Sequence, residues 1–174
     1  MQEIDLSLWK NEELIRRQNQ LKYQFWDLLG KVGDEFSQEY LKKIHPDSKG
    51  KKLSQGQDLE GLPYQVLDLV RDFDFNTGLN IRILNWFGRG AFLFVLVGKE
   101  NFPMLDLSSI GFKKCLTESP WDYPKILSQD SEIQSISDDL EYQQWFKELE
   151  VYSQSEENLA NWKGNIQEVF DFLF

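Results

Sequence analysis

One uninterrupted apolar run limits the possible folds of this chain more than any other feature of its sequence. Residues 91–97 read AFLFVLV and follow Gly88-Arg89-Gly90. Seven consecutive side chains, mostly large or β-branched, are typical of a central strand that is covered on both faces. A phosphate-binding loop would lead from its glycines into a helix, whereas these glycines lie between two strand-like segments. The pattern therefore predicts a hairpin at Gly88–Gly90 and a layered fold around a sheet.

The flanking segments predict an α+β fold within one domain, residues 1–174. Apolar residues at helical spacing from 14 to 41 predict a long N-terminal helix, or two helices divided near Gly30 and Gly33, with Asn11 as its N-cap. Alternating patterns at 62–69 and 80–87 predict two further strands, and 111–116 predicts an edge strand. The sheet is expected to be antiparallel with three to four strands. Helical spacing at 137–152 and 156–174 predicts two C-terminal helices, and the polar stretch 46–61 predicts an exposed loop.

Composition excludes several classes of function. The formal net charge of -10 opposes binding to nucleic acid or to an anionic membrane surface. One cysteine and one histidine provide neither a disulfide nor a characteristic zinc motif. No segment reaches the length of a membrane span, so we expect a cytoplasmic protein without a cofactor.

Two short patterns resemble known families. His45-Pro46-Asp47 resembles the HPD loop of J-domain co-chaperones, which implies a helix soon afterwards, but the following residues have the period of a strand. A helix-ending turn is the simpler interpretation. A second pattern resembles one in small bacterial proteins of no established function. It consists of Gly61-Leu62-Pro63-Tyr64, Leu67-Asp68, Arg71 and Trp86-Phe87-Gly88. That resemblance implies a shared pocket formed by the polar residues Lys51, Tyr64, Asp68, Arg71 and Arg82.

Carboxylates supply the remaining candidates. Asp72 and Asp74 are spaced to point to one face of an extended segment, where they would bind Mg²⁺ or Mn²⁺. Together with Asp68 they define one hypothesis, a metal-dependent transferase or hydrolase. The acidic run 128–141 suggests docking of a basic protein, as in an immunity or inhibitor protein. Because neither a phosphate loop nor a nucleophile motif is present, we favour a non-catalytic module that binds a protein or a small ligand.

Overall fold

A six-stranded antiparallel sheet forms the centre of the fold. The computed structural model describes residues 3–128 and 142–174. Along the chain, the elements are α1 (Leu6–Trp9), α2 (Glu12–Asp34), α3 (Gln38–Ile44), β1 (Lys52–Leu59), β2 (Leu62–Asp72), β3 (Leu79–Trp86), β4 (Gly90–Gly98), a 3₁₀ turn (Ser108–Ile110), β5 (Lys113–Lys114), α4 (Tyr123–Leu127), β6 (Tyr142–Leu149) and α5 (Ser155–Leu173). The strand order is β1-β2-β3-β4-β6-β5. The α+β class and the antiparallel sheet are therefore confirmed.

The apolar run forms β4, in the interior of the sheet. Its side chains alternate between the two faces, and both faces are covered. Face A, defined as the side that carries α2 and α5, holds the larger core, which includes Leu29, Ile81, Leu93 and Trp162. Face B, the opposite side, holds a smaller core in which Phe94 contacts α4 residues. The predicted hairpin is confirmed, since Trp86 pairs with Gly90 across the turn.

The N-terminal helical segment is divided, but not at its glycines. Helix α2 runs through Gly30 and Gly33 and ends at Asp34. The next helix starts after Ser37, whose side chain accepts a hydrogen bond from the backbone N–H of Tyr40. Gly33 lies against the sheet, where a Cβ would be in ordinary contact with a Leu67 methyl at 3.4 Å. The break therefore follows from the serine cap and not from glycine flexibility.

The expected loop at 46–61 is wrong over half its length, because Lys52–Leu59 forms strand β1. This strand lies at the sheet edge and pairs through its backbone with β2. An edge strand with one partly exposed face requires few apolar residues, so hydropathy does not reveal it. Glu60 and Gly61 both have positive φ, as a tight hairpin turn requires. The strand that follows 61, packed against α2, also excludes the J-domain arrangement.

The first of the two expected C-terminal helices is also wrong. Residues Tyr142–Leu149 form strand β6, which pairs with β4 from Gly98 to Ala91. Trp145 and Leu149 belong to the face A core, whereas Phe146 belongs to the face B core. A strand that is buried on both faces can show apolar residues at a helix-like spacing of four, and here the pairing with β4 decides the conformation. The start of that expected helix, residues 137–141, lies outside the described residues.

With β1 and β6 added, the sheet has six strands instead of three to four. The expected edge strand at 111–116 is present as β5, although only Lys113 and Lys114 form it. Helix α5 confirms the second C-terminal helix. Within residues 3–128 and 142–174, no helix combines the length and apolar character that crossing a membrane requires.

Candidate functional site

A cavity of about 470 Å³ opens on face B above β1, β2 and β3. We call it the Arg82 cavity. Its volume lies within the range of small-molecule sites, roughly 300–1,000 Å³. It is lined by Lys52, Ser54, Leu59, Tyr64, Val66, Asp68, Arg71, Phe73, Arg82, Trp121 and Tyr123. Strand alternation explains the set, since Lys52 and Ser54 are paired in register with Asp68 and Val66.

A buried ion pair forms the floor of the cavity. Asp68 and Arg82 lie opposite each other on β2 and β3. Asp68 Oδ1 accepts hydrogen bonds from Arg82 Nε at 2.8 Å and from Asn80 Nδ2 at 3.0 Å, and it lies 2.7 Å from Arg82 Nη2. The side chains are only 6% and 12% exposed, respectively. The attraction is therefore weakly screened, and loss of one partner would leave a buried charge without its counterion.

Tyr123 completes the coordination of the guanidinium. Arg82 Nη1 donates a hydrogen bond to Tyr123 Oη at 2.6 Å. Burial raises the pKa of Tyr123, and the opposing attraction of Arg82 does not cancel this effect. For Arg82, burial is the largest single influence and lowers the pKa, but Tyr123 and Asp68 together outweigh it, so the pKa is raised. At neutral pH the cavity floor therefore contains a charged guanidinium and a neutral phenol.

Two aromatic rings cover Arg82 from the solvent side. The guanidinium carbon lies 4.8 Å from the Trp121 ring centroid and 5.8 Å from that of Phe73. The two rings meet edge to face at 5.5 Å. Both distances to the cation are within the range of cation–π attraction. Because Trp121 is still 44% exposed, this ring also offers a surface to a ligand.

Tyr64, a further aromatic lining residue, lies against the edge strand β1. Tyr64 is paired in register with Gly56. A Cβ at position 56 would lie 2.4 Å from the tyrosine ring, closer than real contacts allow. Gly56 therefore permits the ring to lie flat against the backbone of β1. The lining of the cavity therefore includes the aromatic side chains of both Tyr64 and Trp121.

Two cations at the cavity have no carboxylate partner in the described part of the chain. Lys52 is exposed, and no ion pair or hydrogen bond joins its ammonium group to the described residues. Arg71 is held in place through its backbone, since its N–H donates to Ser48 Oγ, while Nη2 donates to the carbonyl of Lys49 at 3.1 Å. Arg71 Nε is buried and has no acceptor among residues 3–128 and 142–174. Asp68, already bound to Arg82, is the one carboxylate among the lining residues.

Four of the five residues of the sequence-predicted pocket line this cavity: Tyr64, Asp68, Arg71 and Arg82. Lys51 does not. Its ammonium group donates to the carbonyls of Gly33 at 2.7 Å and Phe36 at 3.0 Å, at the end of α2. Lys51 therefore caps a helix, as basic residues at helix C-termini do.

Sequence reasoning missed further lining residues, among them Lys52, Ser54, Trp121 and Tyr123. The first two would have followed from strand alternation if 52–59 had been recognised as a strand, because every second residue of β1 faces the cavity. Trp121 and Tyr123 carry no such signal. They reach the cavity through a loop and the short helix α4, which pack across the sheet.

The two acids proposed for a metal site each have hydrogen-bond partners, and the N–H of Asp74 also donates to Asp72 Oδ1 at 3.2 Å. Asp72 Oδ2 lies 2.7 Å from His45 Nε2, in a partly buried pair. Asp74 accepts hydrogen bonds from the backbone N–H groups of Asn76 and Thr77, and these bonds lower the pKa of Asp74. Asp72 is therefore paired with a histidine, and Asp74 accepts the hydrogen bonds of an Asx-type turn. Within residues 3–128 and 142–174, no three His, Cys, Asp or Glu side chains are grouped as metal ligands.

Two neighbouring cavities differ in chemistry. A groove of about 410 Å³ shares Phe73 and Trp121 with the Arg82 cavity and continues to Phe75 and Leu96. A wider cleft of about 910 Å³ lies on the other side of α4, between Trp86 and Lys147. At this cleft, Arg89 Nη2 lies 3.4 Å from Glu60 Oε2, and Lys147 Nζ lies 3.4 Å from Glu168 Oε2. Its charges are therefore largely paired, unlike those of the Arg82 cavity.

Comparison of the chain with protein-family models, with curated proteins and with solved structures found no match. The acidic run proposed for docking falls almost wholly at 129–141, outside the described residues.

Proposed function

We propose that this protein is a non-catalytic binding module and that a small molecule occupies its Arg82 cavity. The observation that carries the proposal is the composition of that cavity: aromatic side chains and two cations, which have no carboxylate partner among residues 3–128 and 142–174, surround a space of ligand size. Most side chains at the floor originate from paired strands and are fixed by hydrogen bonds. Such preorganised sites lose little freedom when a ligand binds.

The chemistry of the lining residues favours binding over catalysis. Among the described residues, Ser54 is the one aliphatic hydroxyl that lines the cavity, and none of these lining residues is a histidine that could act as its base. His45 is paired with Asp72 elsewhere. Asp68 is held by Arg82 and Asn80, as a structural counterion would be.

The rival hypothesis, a metal-dependent transferase or hydrolase, requires Asp68, Asp72 and Asp74 to converge. Each of the three is instead bound to a different group: Asp68 to Arg82, Asp72 to His45, and Asp74 to the backbone of its own turn. Separate partners favour structural roles for these acids. The geometry therefore supports the binding hypothesis better than the enzymatic one.

A filled-cavity variant tests the proposal. Ser54→Phe places a ring in the cavity, whereas the matched variant Gln55→Phe adds the same ring to an exposed position on the other face of β1. A library of metabolites is screened by thermal shift, because a ligand that prefers the native state raises the midpoint of unfolding. We expect compounds that stabilise the wild type and Gln55→Phe but not Ser54→Phe.

Two results would contradict the proposal. One is a set of ligands that stabilise Ser54→Phe as much as the wild type, provided that both show native circular dichroism. The other is a library that produces no shift with the wild type. The second result would leave a basic protein partner as the remaining form of the binding hypothesis.

A further inference from the structure

The charges at the Arg82 cavity select among ligands. Three lining residues are cationic, Lys52, Arg71 and Arg82, and one, Asp68, is anionic. Asp68 neutralises Arg82, so the formal charge that faces a ligand is positive. This positive surface occurs in a protein whose formal net charge is -10. A local excess of cations within an acidic protein is not a consequence of its overall composition.

Arg71 is arranged to bind an anionic group. Its backbone N–H and its Nη2 are both held, by Ser48 and Lys49. The guanidinium is thus fixed, while its Nε has no acceptor in the described part of the chain. A planar guanidinium with free N–H groups matches two oxygens of a carboxylate or phosphate.

The walls of the cavity specify the rest of the ligand. Tyr64 and Trp121 are aromatic, and Val66 and Leu59 add apolar surface. Aromatic side chains favour planar rings, which stack or meet them edge to face. A site with one charged end and aromatic sides suits a ring that carries a single anionic group.

We propose that the ligand of this cavity is a small aromatic anion, either a carboxylate or a phosphate monoester, whose charged group binds Arg71 and Lys52. The inference rests on the proposed function, because it names the class of ligand for the same site.

Four probes of similar shape test the charge requirement by isothermal titration calorimetry. Benzoate and phenyl phosphate carry the anionic group, benzamide is the neutral counterpart of benzoate, and benzylamine is cationic. We expect both anions to bind at least about tenfold more tightly than benzamide, since charge-assisted hydrogen bonds are roughly twice as strong as neutral ones. The ratio of the dissociation constants of benzoate and phenyl phosphate shows whether the site prefers a carboxylate or a phosphate monoester. Added salt should weaken binding of the anions.

Variants of Arg71 test whether the anions bind at this residue. Arg71→Gln removes the charge and should lower the affinity for both anions about tenfold. Arg71→Lys, which keeps the charge but not the planar fork, should retain part of the affinity. Lys42→Gln is the matched control, because Lys42 is exposed on α3 and does not line the cavity. It should leave binding unchanged.

The outcomes separate this inference from the proposed function. If benzamide or benzylamine binds in the cavity as tightly as the anions, or if Arg71→Gln leaves anion affinity unchanged, the anion requirement is wrong while the cavity remains a ligand site. Failure of both anions to bind also refutes the anion requirement. Ligands from the library that bind equally well to Ser54→Phe would refute the proposed function itself.

Discussion

Removing Asp68 should destabilise the fold strongly. The side chains of Asp68 and Arg82 are 6% and 12% exposed, and two guanidinium nitrogens lie within 2.8 Å of Asp68 Oδ1. Asp68→Ala would leave a buried cation without its counterion, which typically costs about 3–5 kcal/mol. Native domains have about 5–15 kcal/mol of stability in total, so the loss is a large fraction. With a urea m-value of about 2 kcal/mol/M, the midpoint of unfolding falls by about 2 M.

Urea denaturation followed by far-UV circular dichroism measures this loss. The double variant Asp68→Ala/Arg82→Met removes both charges and should be more stable than the sum of the single variants implies, by about 0.5–3 kcal/mol. Asp27→Ala is the matched control, since Asp27 forms an exposed pair with Lys31. That variant should have nearly the wild-type midpoint. A loss below about 1 kcal/mol for Asp68→Ala would refute the reasoning, because it would show that solvent screens the pair as it does at a surface.

Other predictions follow from single contacts. Gly56→Ala forces Tyr64 to move and should cost about 1–3 kcal/mol in urea denaturation, with weaker ligand binding as well. Burial raises the pKa of Cys115 to about 12, so its thiol should react with Ellman's reagent only after unfolding. Because burial also raises the pKa of Tyr123, the unfolded state loses this proton first, and stability should fall as the pH rises above about 10; Tyr123→Phe should reduce that slope in urea titrations. Lys51→Met removes two hydrogen bonds at the end of α2 and should lower the free energy of unfolding by about 1–3 kcal/mol without affecting ligand affinity.

The sequence predicted those elements whose conformation depends on local pattern. The central strand β4 follows from a continuous apolar run, and α2 follows from its spacing and the Asn11 cap, which accepts a hydrogen bond from the N–H of Leu14. Elements that depend on a distant partner were missed. Strand β1 is polar because it lies at the edge, and β6 shows helix-like spacing because both its faces are buried.

The candidate site also combines residues that a local sequence pattern predicts with residues that only distant contacts bring there. Asp68 and Arg82 lie opposite each other on paired strands, so a pattern confined to that hairpin can include both. Lys51 was included and Lys52 omitted because the direction of each side chain depends on the unrecognised strand. Trp121 comes from a loop that crosses the sheet, and no local signal placed it beside Arg82. Contacts formed by such crossings depend on tertiary packing and not on local periodicity.

The most direct test of the account is a crystal structure of the full chain soaked with the compound that gives the largest thermal shift. The account predicts that the compound lies between Tyr64 and Trp121 and that its acidic group binds Arg71. A compound found instead in the cleft beside Trp86, with the Arg82 cavity empty of ligand, would contradict the assignment of the site.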